Sequence, residues 1–296
     1  MSWPNPGVYE GIPAHEYFGL TEINGVLVRS KSMLRDFNSS PRAFKSGFKF
    51  KATDSMRKGS IFDCLLTSPE RFANDFILSP YDKFQSNESK AWKAEHEERG
   101  LIVVKQAEHE AAMESIERVN SDPRWIEMTK GKPRFQVAAI ANVEGYPFKM
   151  LADLIPDANE SAFGNAIVDV KRCGTMNDIR DILRTCRKFG YGIQGGLYRG
   201  LWKLASGEYR PDFILFIVPD DFSDPSAEIC VLNLGKHLLD NGGQEAMRMN
   251  RRLIECETSG VWPGAFDGIT EVDQADETWE WSVVEPDLEE TGKEDA

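Results

Sequence analysis

Apolar residues recur at helical spacing through the run that opens Ser30, Lys31, Ser32, Met33, Leu34 and closes at Phe37. A serine accepts well from the open N–H groups of a first turn, so this pattern predicts a capped helix. A second helix is expected over 59–66, ending before the breaker pair Ser68 and Pro69. A third, over 105–119, is mostly polar and is expected to lie on the surface. The first 130 residues therefore read as helices and loops. Further on the pattern changes. Residues 135–143 and 148–155 are β-rich runs separated by Glu144, Gly145, Tyr146 and Pro147, which predicts a hairpin. Residues 166–171 form a short strand ending in charge, followed by helices over 176–188 and 191–206. Strands over 212–218 and 227–234 and a long helix to about 257 complete the order. Helices, three strands, two helices, two strands and a helix predict an α/β fold with a mixed central sheet and a helical N-terminal region.

Periodicity fades after 264. Trp279 and Trp281 are placed to hold one short strand, and 286–296 is expected to be disordered. With no internal repeat or long linker, the simplest parse is a single domain over 1–266, helical to 130 with its catalytic core from 131. An acidic tail over 267–296 follows. Hydrophobic residues make up 41% of the 296-residue chain, enough for one substantial core.

The net charge of −13 argues against a nucleic-acid partner until its distribution is seen. From Asp267 onward there are twelve acids and one base, which leaves a net of only −2 over the rest of the chain. A near-neutral body still has room for a basic groove. Arg42, Lys45, Lys49, Lys51, Arg57 and Lys58, opposed only by Asp54, are the candidates, with a solvated face as the equal alternative. No run approaches a membrane span and the first residues do not resemble a secretion signal, so no membrane role and a cytoplasmic location are expected. Five scattered cysteines and four isolated histidines favour reduced thiols over a disulfide framework or a zinc site.

The chemistry concentrates on two strands. One, through Lys149, reaches Asp153; the next carries Asp169 and Lys171 two residues apart, on one face by strand alternation. Burying an acid in an apolar strand is costly unless it is paired or binds a metal. Two aspartates offering only oxygen suit Mg²⁺ or Mn²⁺, and a neighbouring lysine suits charge developing on a phosphate. On spacing alone, an ordinary strand-end ion pair is the simpler reading.

Four ordered stretches resemble the PD-(D/E)XK nuclease superfamily, in particular the RecE/RecB-type exonucleases of phage and bacterial recombination. They begin with Tyr17, the Ser30–Leu34 run, and Ser40, Pro41 and Phe44. Next comes a helix from Gly59 through Asp63 to Pro69, Glu70 and Phe72, and then Asp153 with Asp169, Val170 and Lys171. The last is Tyr191, Gln194 and Tyr198, with Trp262, Pro263 and Gly264 as a further echo. The resemblance implies a restriction-endonuclease-like core in which Asp153, Asp169 and the Val170 carbonyl hold metal and Lys171 is catalytic. Gln194 and Tyr198 would contact DNA or support the metal site. It also implies a DNA exonuclease acting on duplex ends, with a ring-shaped oligomer as a known architecture; an annealing protein is the kind of basic partner the acidic tail could bind.

Two positions depart from the pattern. Asp63 stands where such proteins usually carry histidine; it either joins the metal site or lies on a helix surface. Arg134 or Gln136 stands where a first-strand glutamate is common, and the two departures together motivate a catalytically weakened DNA-binding accessory as the rival reading. An endonuclease would use the same residues. The acidic tail would either screen the body from nucleic acid, bind a basic partner, or simply solubilise the chain.

Overall fold

The computed structural model describes residues 3–47, 54–174, 178–222, 227–265 and 267. Lys49, Lys51, Trp279, Trp281 and the expected disordered end therefore lie outside the described residues. The N-terminal half runs β1 (Gly7–Tyr9), α1 (Ala14–Gly19), the hairpin β2 (Glu22–Ile23) and β3 (Val26–Leu27), α2 (Lys31–Ser39) and α3 (Pro41–Lys45). It continues through α4 (Asp54–Thr67), α5 (Phe72–Asp75), β4 (Phe76–Ser79), α6 (Asn87–Glu98), β5 (Ile102–Lys105), α7 (Gln106–Ser121) and α8 (Pro123–Met128). The second half is β6 (Arg134–Val143), β7 (Tyr146–Ile155), β8 (Ala166–Cys173), α9 (Ile179–Phe189), α10 (Tyr191–Ser206), β9 (Asp212–Pro219), β10 (Cys230–Asn233) and α11 (Lys236–Ser259).

The strand order β1-β6-β7-β8-β9-β10 makes one mixed sheet, antiparallel except for the β8–β9 pair. The β6–β7 hairpin turns through Glu144 and Gly145, both at positive φ (51° and 87°), as a two-residue turn between right-twisted strands requires. Ser30 caps α2 by accepting from the Met33 N–H at 3.3 Å, as the sequence predicts.

Helices cover both faces of the sheet. On one side Leu34 and Phe37 of α2, Ile182 of α9, Trp202 of α10 and Leu253 of α11 pack on Phe213, Leu215 and Ile217. On the other, Phe62 of α4, Ile116 and Val119 of α7, and Trp125 of α8 pack on Val168, Val170 and Phe216. Burying each such side chain contributes about 1.5–3 kcal/mol. Among the described residues no helix is long and apolar enough to cross a membrane.

Three expectations are corrected. The helix over 105–119 does not merely lie on the surface; it buries Ala112, Ser115, Ile116 and Val119, because four small or aliphatic residues at spacings of three and four suffice for one packed stripe. The N-terminal region is not all helix and loop: β1 extends the main sheet beside β6, and β4 pairs with β5 in parallel. A three-residue strand and two four-residue ones are too short to show alternation. Phe189 and Trp202, which flank the Gln194–Tyr198 stretch, both read as core residues in sequence; Trp202 is fully buried, but Phe189 is 43% exposed.

Helices α10 and α11 meet through glycine. A Cβ on Gly196 would collide with the Leu239 carbonyl and the Gly243 nitrogen, and one on Gly242 with the Gly192 carbonyl. Backbone cannot yield as a side chain does, so Gly196→Ala and Gly242→Ala should each cost about 3 kcal/mol, the upper range of overpacking. Gly200→Ala, on the open side of α10, meets nothing and should instead gain up to about 1 kcal/mol of helix propensity. Thermal melts of the three variants check this contrast.

Candidate active site

The site forms where β6, β7 and β8 lose regularity together. Pairing places Phe135 opposite Leu154 and Val137 opposite Ala152, so Gln136 stands across from Asp153. Gln136 has φ of +47°, a left-handed backbone rare for a residue with a side chain. Alternation breaks at that position. Val137 and Ala152 belong to the core under α10, whereas their neighbours across the break, Phe135 and Leu154, pack toward α8. Leu154 pairs with Val168, which sets Asp153 and Asp169 one step away on the two facing strands.

There the predicted residues converge. The Asp153 carboxylate accepts from the Val170 N–H at 2.8 Å and from the Gln136 side-chain amide at 3.3 Å. Asp169, 2% exposed, accepts from the Gln194 amide at 2.6 Å through one oxygen, and its other oxygen lies 2.5 Å from the Lys171 ammonium. Asp169 and Lys171 thus share a face, as alternation predicts. The Lys171 ammonium also stands 3.4 Å from the Val170 carbonyl.

Asp63 reaches the same centre from α4. Burial, then Asp153 and Asp169, pushes its carboxyl well above the usual range, with Lys171 opposing. Burial, reinforced by Asp169, pushes Asp153 up to about 6. Burial works against the charge on Lys171, but Asp169, Asp153 and Asp63 outweigh it and hold its pKa above the ordinary lysine value. Tyr198 is pushed up by burial and by Asp169 and Asp153, which places its phenol beside both strands. Tyr17 is raised in the same way, by burial first and then by Tyr198 and Asp153.

Gln136 was not singled out as a site residue by sequence, only as the occupant of an expected glutamate position. Its amide bridges Asp153 and the Thr67 hydroxyl (3.0 Å), and Thr67 in turn donates to the Asp63 carbonyl at 2.6 Å. No sequence signal marks the left-handed conformation that aims it. Access comes through a pocket of about 330 Å³ whose lining includes Tyr17, Ser60, Asp63, Arg71, Gln136 and Asp153. Its N-terminal wall is held by Lys149, whose ammonium donates to the Tyr17 and Leu20 carbonyls at 2.6 and 2.7 Å.

Of the expected basic groove, Arg42, Lys45, Arg57 and Lys58 fall within the described residues. The Arg57 guanidinium is engaged by Glu108 at 2.8 Å, and Arg42 by Asp267 at 2.5 Å. Lys45 lies over the Trp262 ring, 5.0 Å from its centre, and Lys58 is an exposed residue of α4.

A mixed sheet between helix layers, with paired aspartates and a lysine at the opening of adjacent strands, is the restriction-endonuclease-like arrangement. Residues 30–274 match the PDDEXK-like domain of unknown function (DUF3799), and the chain belongs to that family within the PD-(D/E)XK superfamily. A candidate exonuclease from Eubacterium rectale has the same fold, with a TM-score of 0.54 at 18% identity over 85% of this chain and 92% of its own. A phage-related exonuclease from Haemophilus somnus 129PT aligns over 80% of this chain and 97% of its own, at 12% identity and a TM-score of only 0.31. No curated protein sequence matches the chain.

Members of the superfamily generally use divalent metal. Among the described residues no group of three acid, histidine or cysteine side chains is placed to hold a metal ion. Mg²⁺ does not require one, since it keeps several waters and takes one or two carboxylates. The donor set fits: carboxylates from Asp153 and Asp169, the Val170 carbonyl, and Asp63 nearby give an excess of buried negative charge over the Lys171 ammonium.

That excess has a pH signature. A carboxyl whose folded pKa (about 6 for Asp153) exceeds its unfolded value binds more protons folded than unfolded. Its contribution to stability is therefore present below pH 4 and lost as pH rises to about 6. In EDTA, Asp63→Asn should raise the melting temperature at pH 7 and flatten its decline between pH 4 and 7. Melts of both proteins across that range test this; an unchanged or lower melting temperature at pH 7 would place Asp63 outside the charged cluster.

Proposed function

We propose that the protein is a metal-dependent deoxyribonuclease that hydrolyses phosphodiester bonds from duplex DNA ends, in the manner of phage recombination exonucleases. The observation that carries the reading is the convergence of Asp153, Asp169, Lys171 and Gln194 at one strand opening. Asp153, Asp169 and the Val170 carbonyl would hold the ion, Mg²⁺ or Mn²⁺, which when bound polarises the phosphate and makes its water a better nucleophile. The chain's own residues supply orientation. Gln194 fixes the rotamer of Asp169, while Gln136 and the Val170 N–H fix that of Asp153. Lys171, held by Asp169 and the Val170 carbonyl, stands ready to stabilise charge on a phosphoryl oxygen. Asp63 supports the same centre from α4.

A second reading is favoured by one feature, the amide of Gln136 at a position where a carboxylate would add a ligand. It makes the protein a DNA-binding accessory with weak catalysis. Linear and circular duplexes incubated with Mg²⁺ or Mn²⁺ separate the possibilities. Loss of linear DNA alone supports the exonuclease, cutting of circles an endonuclease, and binding without cutting the accessory.

Lys171→Ala should lower kcat by about 10²–10³-fold with the fold intact by circular dichroism, the scale seen when one preorganised electrostatic donor is removed. Asp153→Ala should abolish the rise in melting temperature that Mg²⁺ or Mn²⁺ gives the wild type, and EDTA should abolish cleavage. Cleavage that survives Asp169→Ala would overturn the site.

A further inference from the structure

Helix α9 follows the catalytic strand β8 and ends beside the active site. Its inner face buries Ile182 and Cys186. The outer face exposes Arg180, Arg184, Arg187 and Lys188, with Asp181 as the acid of the helix. Arg184 pairs with Asp181 at 2.8 Å, an exposed one-turn contact that leaves its charge accessible. Interleaved with these bases, Ile179 is 56% exposed, Leu183 41% and Phe189 43%. A face needed only for solubility has no reason to show three large apolar side chains. One that lies along sugars and phosphates has reason for both kinds.

The stripe connects to the chemistry. The Lys31 ammonium, at the start of α2, donates to the Phe189 carbonyl at 2.7 Å. It also lies 5.9 Å from the centre of the Tyr191 ring, and the Lys171 ammonium lies 5.8 Å from the same centre. Cationic groups therefore lead from Lys171 past Tyr191 to Lys31 and on to the end of α9. Eleven residues of helix extend the line by about 16 Å, roughly the rise of four to five base pairs.

We propose that the outer face of α9, through Arg180, Arg184 and Lys188 and continued by Lys31, binds the phosphate backbone of the DNA entering the active site. This rests on the nuclease reading for the identity of the ligand, but binding is measured apart from cleavage.

The test compares the wild type with the triple variant Arg180→Ala, Arg184→Ala, Lys188→Ala on a labelled duplex. Affinity is read by fluorescence anisotropy from 50 to 200 mM NaCl with Ca²⁺ in place of Mg²⁺. All three side chains are exposed, so the variant should fold, and single Arg180→Gln and Lys188→Gln variants give the same reading if it does not. The triple variant is expected to weaken binding about 10-fold or more and to reduce the log Kd against log salt slope by about 2 to 3, close to one unit per lost phosphate contact. KM should rise with kcat within about twofold. Lys31→Met should remove a further unit of slope and Lys31→Arg restore it. An unchanged slope and KM would overturn the proposal. If duplex binds with the predicted slope change but is never cut, the α9 track stands and the catalytic reading falls.

Discussion

Lys171 holds its ammonium among the carboxylates of Asp169, Asp153 and Asp63 in a place largely closed to water, and the rest of the site is arranged around that imbalance. Burial, reinforced by repulsion between like charges, drives two of the three acids toward their neutral forms. A fold selected for stability alone would not keep such a cluster. The structure restrains it with neutral donors: one amide from Gln136, another from Gln194 and the N–H of Val170. Those donors fix the carboxylates without cancelling their charge, which leaves attraction for a divalent cation available.

Each restraint depends on packing some distance away. Gln194 reaches Asp169 because α10 lies against the sheet and α11, an approach permitted where Gly192 and Gly196 face Gly242 and Gly243 and where Gly195 meets Leu239 and Phe213. Gln136 reaches Asp153 because one residue of β6 adopts a left-handed backbone, strain of about 1–3 kcal/mol of the kind found at functional sites. Asp63 is brought in by α4, whose Phe62 is anchored in the core beneath β8. Lys149 keeps the segment around Tyr17 over the pocket that opens on the carboxylates. Sheet, helices and N-terminal segment therefore meet at one charged centre.

Much of this was legible from local pattern. Period-two alternation set Asp169 and Lys171 on one face, and the turn residues Glu144 and Gly145 marked the hairpin that carries Asp153. The helix over Tyr191–Ser206 matches its sequence pattern end to end. Less legible were β1, β4 and β5, whose few residues are strands only because a partner strand completes their hydrogen bonds. Sequence shows charges without their partners: Arg57 and Arg42 of the basic cluster pair with Glu108 and Asp267, which lie far along the chain. The exposed basic stripe of α9 was not legible either, because bases and apolar residues are interleaved along it and only packing shows that Ile182 and Cys186 turn inward while Ile179 and Leu183 stay exposed.

The sequence alone therefore determined the longer elements, the mixed α/β class and the pair of strands that bear the acids, since these follow from spacing along a single chain. Only the tertiary structure decided that Asp63 lines the same pocket as Asp153, that Gln136 and Gln194 hold the carboxylates of Asp153 and Asp169, and which basic residues are left facing solvent. Hydrogen bonding and charge depend on distances between residues remote in sequence, and no periodicity along the chain encodes those distances.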